Sequence, residues 1–165
     1  MMIAETLLQE LEQEARTTRR VLERVPDAHL DWRPHAKSYS LGQLALHVAQ
    51  IPGGVATLAM QSPATPPAFV QEGAGCSADL VPALEESVET AKSVLADASD
   101  ATMMETWRLV AGDRELMAMP RAAFLRAIML NHWYHHRGQL VVYLRQLDVP
   151  VPSVYGPSAD ENPFA

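Results

Sequence analysis

The sequence predicts an all-α four-helix bundle with a long crossover between its second and third helices. Three observations carry that expectation. Four segments repeat their apolar residues at three- and four-residue steps, the mark of helices with one buried face. A Pro- and Gly-rich run from Ser62 to Gly75 separates the second segment from the third, and long crossovers let neighbouring helices of a bundle run parallel. The 165 residues are 48% hydrophobic and 20% charged, with mean hydropathy near zero. That suits one globular domain over residues 1–165, since single cores typically span about 100–200 residues.

The first helix is expected from Ile3 to about Val25, where Leu7, Leu8, Leu11, Ala15, Thr18, Val21 and Leu22 keep the helical step. Pro26 and Pro34 end it and open a polar connection that reaches Ser40. Ser40 with Gln43 three residues on forms a capping-box pattern, and Leu44, His47, Val48 and Ile51 continue a second helix. Pro52, Gly53 and Gly54 interrupt it, but the spacing resumes at Val55, Leu58 and Ala59, which favours a kink over a stop. Ser77 or Asp79 caps a third helix that reaches about Leu95. Between Ala101 and Met119, Trp107, Leu109, Leu116 and Met119 flank Ala111-Gly112-Asp113-Arg114, a pattern suited to a small hairpin or an extended loop. From Pro120, allowed in a first helical turn, the most periodic helix runs to about Leu147. The proline-rich tail from Val149 lies over the bundle or stays mobile.

Charge and composition exclude several function classes. With 13 Lys and Arg against 20 Asp and Glu, a net charge of -7, the chain lacks the basic footprint that neutralises phosphates, so nucleic acid is not an expected partner. No stretch reaches the roughly 18 apolar residues of a membrane span, and the start has neither the basic nor the apolar region of a signal peptide. A cytoplasmic location follows as the expectation. The single cysteine, Cys76, cannot form an internal disulfide and lies in a Gly-rich loop with no evident activator of a thiol.

The candidate chemistry lies in Asn131–Leu140. At about 100° per residue, His132 and His136 share a helix face, with Leu125, Met129, Leu140, Tyr143 and Leu147 on the same side. The pair is therefore expected to turn inward. His135 falls on the flank of this stripe, and Arg137 falls nearly opposite, placed for the rim or solvent. An i, i+4 His pair is the spacing of helical zinc sites, but Trp133, Tyr134 and His135 between them do not form the His-Glu-x-x-His of metalloproteases. His47, at the edge of the second helix's stripe, is the natural third ligand. Three imidazoles with no fourth protein ligand leave a position open for water or substrate, and they suit zinc, nickel or iron alike. The alternative is a set of hydrogen-bonded histidines without metal. His29 and His35 are expected in a solvated loop, and Trp133 and Tyr143 in the core.

The stretch HWYHHRGQLVVYLRQLDVPVPSVYGPSADE resembles the C-terminal signature of the DinB-like (YfiT-like) superfamily, and LGQLALHVAQ resembles its second-helix motif. The resemblance implies a four-helix bundle, a three-histidine divalent metal site matched by position to His47, His132 and His136, and frequent homodimers. Relatives of that superfamily include thiol-dependent S-transferases and thiol-dependent maleylpyruvate isomerases. It therefore implies a metal-dependent enzyme that takes a low-molecular-weight thiol as cosubstrate, of S-transferase type. Gln139 and Tyr143 are expected to border its pocket. The alternatives are an isomerase that returns the thiol unchanged and a non-catalytic, stress-associated bundle. Whether Asp160 and Glu161 approach the site is left open by the sequence.

Overall fold

The computed structural model describes every residue except Met1 and Phe69. Four long helical segments form the bundle: α1 (Ile3–Leu22), α2 (Leu41–Met60), α3 (Leu80–Leu95) and a last segment from Arg121 to Gln146. Short 3₁₀ turns at Asp27–His29 and Ser77–Asp79 precede α2 and α3. A short helix α4 (Asp100–Met104) and an antiparallel hairpin, β1 (Thr106–Ala111) and β2 (Arg114–Pro120), fill the region before the last segment. The two-residue turn Gly112-Asp113 carries φ 58° at Gly112, a conformation that glycine adopts without penalty. Ala64 of the crossover bridges to this hairpin, its N–H donating to the Arg108 carbonyl at 2.8 Å.

The core follows the predicted stripes in α1 to α3. Leu11, Val21, Leu44, Val48, Leu80, Leu84 and Leu95 are buried, each fully buried aliphatic side chain stabilising the fold by about 1.5–3 kcal/mol. The Ser40 capping box forms as expected, with Gln43 N donating to Ser40 Oγ at 3.2 Å and Ser40 N to Gln43 Oε1 at 2.9 Å. Gln43 Nε2 also donates to the Gln71 carbonyl at 3.0 Å, tying the crossover to the start of α2.

Helix α2 runs through Pro52 without a stop, because neighbouring helices take up the polar groups that the proline disturbs. Pro52 has no N–H for the Val48 carbonyl four residues earlier, and the indole Nε1 of Trp133 donates to that oxygen at 2.8 Å. Ser87 Oγ of α3 accepts from Gly53 N at 2.8 Å and donates to the Gln50 carbonyl at 3.1 Å. At the helix end, Trp107 Nε1 donates to Leu58 O at 3.2 Å and Arg121 Nε to Ala59 O at 2.7 Å. These bonds supply donors to carbonyls that a helix terminus leaves open.

The two adjacent glycines of α2 have opposite requirements. A Cβ on Gly53 would lie 2.7 Å from the Ser87 carbonyl, whereas one on Gly54 would meet nothing within 4 Å. Gly53→Ala is expected to lower stability by about 1–3 kcal/mol through overpacking. Gly54→Ala should raise it by about 0.5–1 kcal/mol, the ordinary helix gain. Urea unfolding of both variants checks this, and equal effects would contradict the close α2–α3 approach.

The last segment departs from the expected single α-helix. One α turn, α5 (Arg121–Phe124), leads into a π-helical stretch, Leu125–Asn131, before α6 (His132–Gln146). Pro120 ends β2 and occupies the N-cap position rather than the first helical turn. The His132 N–H reaches back to the Ala127 carbonyl, a five-residue step. A π segment carries more residues per turn than an α-helix, so uniform wheel arithmetic across it misplaces α6. The buried face of α6 is Trp133, Arg137, Leu140 and Leu144, roughly 90° around the helix from the midpoint of His132 and His136.

Arg137 is thereby a correction to its expected place at the rim. It is 1% exposed and donates to Glu14 Oε2 at 2.5 Å, Thr18 Oγ1 at 3.0 Å and the Glu14 carbonyl at 3.2 Å. The Tyr155 hydroxyl accepts from Arg137 and donates to Glu14 Oε2 at 2.9 Å. A buried charge is tolerable only when paired and hydrogen-bonded, and α1 provides both.

The tail lies ordered on the bundle. Asp160 Oδ2 accepts from Arg145 at 2.5 Å and from Val151 N at 2.9 Å, while Glu161 Oε2 accepts from Ser153 N at 2.8 Å and from Arg20 at 2.5 Å. The Arg145 guanidinium holds the Asp160 carboxyl below its usual range, and the Ser153 N–H followed by Arg20 does so for Glu161. Both acids anchor the tail.

Candidate metal centre

His47 of α2 and His132 and His136 of α6 converge. One ring nitrogen from each lies within 4.8 Å of the others, and all three rings are half-buried. His47 packs edge-on against His136 and His132, with centroids 4.7 and 5.4 Å apart. The Trp133–Val48 bond fixes this meeting, because each partner is the immediate neighbour of a histidine, Trp133 of His132 and Val48 of His47.

The rings are supported from outside. His136 Nδ1 lies 2.8 Å from Gln139 Oε1, an acceptor, so His136 carries its proton there and turns the Nε2 lone pair inward. Gln139 Nε2 is held in turn 3.0 Å from His135 Nε2. His47 interacts with the Gln71 side chain and stacks edge-on with Tyr39 at 5.9 Å. His132 Nδ1 is buried without a well-formed hydrogen bond, although the nearby Ile128 carbonyl favours its protonation.

Burial keeps all three imidazoles neutral. It is the largest cause drawing His47 down to about 4, with the positive forms of His136 and then His132 adding to it and Gln71 opposing. Burial also lowers His132, against the Ile128 carbonyl, and His136, against Gln139. Neutral imidazole is the ligating form.

These residues fit a divalent transition metal. His132 Nε2 and His136 Nε2 lie 2.7 Å apart. With His136 protonated at Nδ1 toward Gln139, its Nε2 lone pair faces His132 at that distance, where either a proton on His132 Nε2 or a shared metal ion would satisfy it. The donor set is all nitrogen, suiting zinc, nickel or iron, and three such ligands leave a position open.

The three histidines border a cavity of about 1040 Å³. His47, His132, His136 and Tyr39 lie at one end, and the walls continue along α2 to Gln61 and along α3 through Ala83, Glu86, Ser87 and Thr90. Gln139 and Tyr143, expected to border it, are not among the lining residues. Gln139 stands behind His136, and the Tyr143 hydroxyl donates to the Tyr39 carbonyl at 3.4 Å, supporting a lining residue from outside. His135, His29 and His35 are exposed. Sequence reasoning missed Gln71 and Tyr39, which lie in irregular segments where no periodicity marks a side chain.

A helical bundle whose second and last helices join three neutral histidines at the end of an open cavity defines a class of protein with a potential metal-binding group. Residues 1–163 match the DinB family, and the chain belongs to it. It is 27% identical over 160 residues to YrdA, an uncharacterized protein of Bacillus subtilis (strain 168), covering 93% of this chain and 89% of the relative. Among solved structures, a DinB-like protein from Bacillus cereus ATCC 10987 superposes with TM-score 0.70 at 22% identity, covering 92% of this chain and 97% of the other. The DinB-like protein YjoA from Bacillus subtilis gives 0.68 at 16% identity, covering 90% and 96%. These two likenesses show a shared fold. No helix among the described residues is long and apolar enough to cross a membrane.

Proposed function

We propose that this protein is a metal-dependent enzyme of thiol S-transferase type, in which His47, His132 and His136 hold one divalent transition metal. The observation that carries the reading is the meeting of three neutral imidazoles at the end of a cavity of about 1040 Å³. When bound, the metal supplies the Lewis acidity that lowers a thiol's pKa and favours its thiolate at neutral pH. The chain's own contribution is positional. Gln139 holds the tautomer of His136, Gln71 and Tyr39 orient His47, and Trp133 locks the two ligand-bearing helices together. Outer partners of this kind typically matter about 10–100-fold in metal affinity or activity.

The cavity supports an enzyme over a non-catalytic bundle, since a purely structural site needs no room beside the metal. An isomerase using the same thiol differs in returning it unchanged, so thiol consumption separates the two. Homodimerisation belongs to the same proposal and is checked by sedimentation at micromolar concentration. The test of function is metal analysis and thiol-conjugation assays of the protein and of His132→Ala, with folding followed by circular dichroism. Near-stoichiometric metal and conjugation, both lost in the folded variant, are expected. A metal-loaded protein inert toward all common cellular thiols would overturn the transferase reading.

A further inference from the structure

We propose that the cavity admits a molecule whose end remote from the histidines is uncharged or carries an amine, and that it rejects carboxylated and phosphorylated ends. This rests on the reading of the cavity as the ligand site and adds the class of ligand. Along α2 the lining runs from His47 to Gln61, roughly 21 Å at the rise of an α-helix, so a ligand reaching the histidines has a long remote portion. Among the described residues no Lys or Arg lines this space. Away from the histidines and Tyr39, its polar side chains are the amides of Gln50 and Gln61, the hydroxyls of Thr57, Thr65, Ser87 and Thr90, and one carboxylate, Glu86.

The basic residues near these walls are engaged elsewhere. Arg108, whose backbone bonds to Ala64 beside Thr65, is ion-paired to Glu115. Lys92, two residues beyond Thr90, is shared between Glu12 and Glu89. Glu86 makes no ion pair among the described residues, and its neighbour Ser87 bonds to Gly53 and Gln50 on the facing helix. Gln50, Thr57, Gln61, Thr65 and Glu86 are exposed, so an anion at this open end would find no cationic partner and would lie beside the Glu86 carboxylate, in a chain of net charge -7. An amine would gain Glu86, and an uncharged chain would gain the apolar walls and the hydroxyls.

The test uses the metal-free protein, so that its outcome is independent of the metal and thiol chemistry. Hexanol, hexylammonium and hexanoate, which differ only in the terminal group, are titrated while the amide resonances of Gly54, Thr57 and Thr90 are followed by NMR. Hexylammonium and hexanol should bind about two- to fivefold more tightly than hexanoate, the range of an exposed charge interaction. Glu86→Lys should reverse the order of hexylammonium and hexanoate. Hexanoate binding as tightly as hexanol, no change of order in Glu86→Lys, or no shift with any of the three would each overturn the proposal. Failure of the metal reading would appear separately, in metal content.

Discussion

Arg137→Met is expected to lower the stability of the protein by about 3–5 kcal/mol, the usual cost of removing one partner of a buried ion pair. The Glu14 carboxylate, 6% exposed, would keep only the Tyr155 hydroxyl as a donor, and Thr18 Oγ1 and the Glu14 carbonyl would lose theirs. For a chain of this size such a loss lowers the Tm by roughly 6–20 °C. The double variant Glu14→Leu with Arg137→Met should recover most of it, because two apolar side chains remove both charges together. Urea unfolding of the two variants checks the argument. A single-variant loss below about 1 kcal/mol would mean that solvent reaches the pair and that the tail does not close over it.

The same residue marks the limit of what was legible in the sequence. The stripes of α1, α2 and α3 could be read because each buries aliphatic residues at a constant helical step. The Ser40 capping box and the Gly112 turn could be read because their chemistry is local. Arg137 could not be placed, since its partner Glu14 lies on the first helix and each charge alone reads as a solvent-facing position. The π stretch left no mark either, and it rotates α6 relative to the wheel that starts at Arg121. The histidine pair was still found, because its i, i+4 spacing lies wholly within α6 and survives any rotation before it. What the rotation changed is the surroundings: the pair faces an open cavity beside the core instead of the core itself. Gln139 and Tyr143, on the same helix, stand outside that cavity as supports of His136 and Tyr39.

Pro52 and Trp133 were also visible separately, one as a helix interruption and the other as a core aromatic. Their pairing depends on tertiary structure. The proline leaves the Val48 carbonyl without its intrahelical donor, and the indole supplies one at 2.8 Å. The feature that reads locally as a defect of α2 is therefore the contact that brings His132 to His47. The glycine pair beside it divides the same way: Gly53 lets α3 approach, and Gly54 leaves cavity space unfilled.

Metal-dependent stabilisation should separate the ligands from their supports. A ligand that binds only the folded state stabilises it by about 4.1 kcal/mol at a free concentration 1,000-fold above Kd, and by about 1.4 kcal/mol when Kd rises 100-fold. With zinc at such a concentration, His47→Ala is expected to lose nearly all of the stabilisation, because two imidazoles from one helix turn then remain without the α2 donor. Gln139→Leu should retain part of it, its affinity falling about 10–100-fold as His136 loses the acceptor that fixes its tautomer. Thermal unfolding with and without zinc reads both effects, and circular dichroism of the metal-free variants confirms the fold. Equal losses in the two variants would make Gln139 itself a ligand. Full stabilisation in His47→Ala would place the bound metal away from the three histidines, and with it the end of the cavity where chemistry is expected.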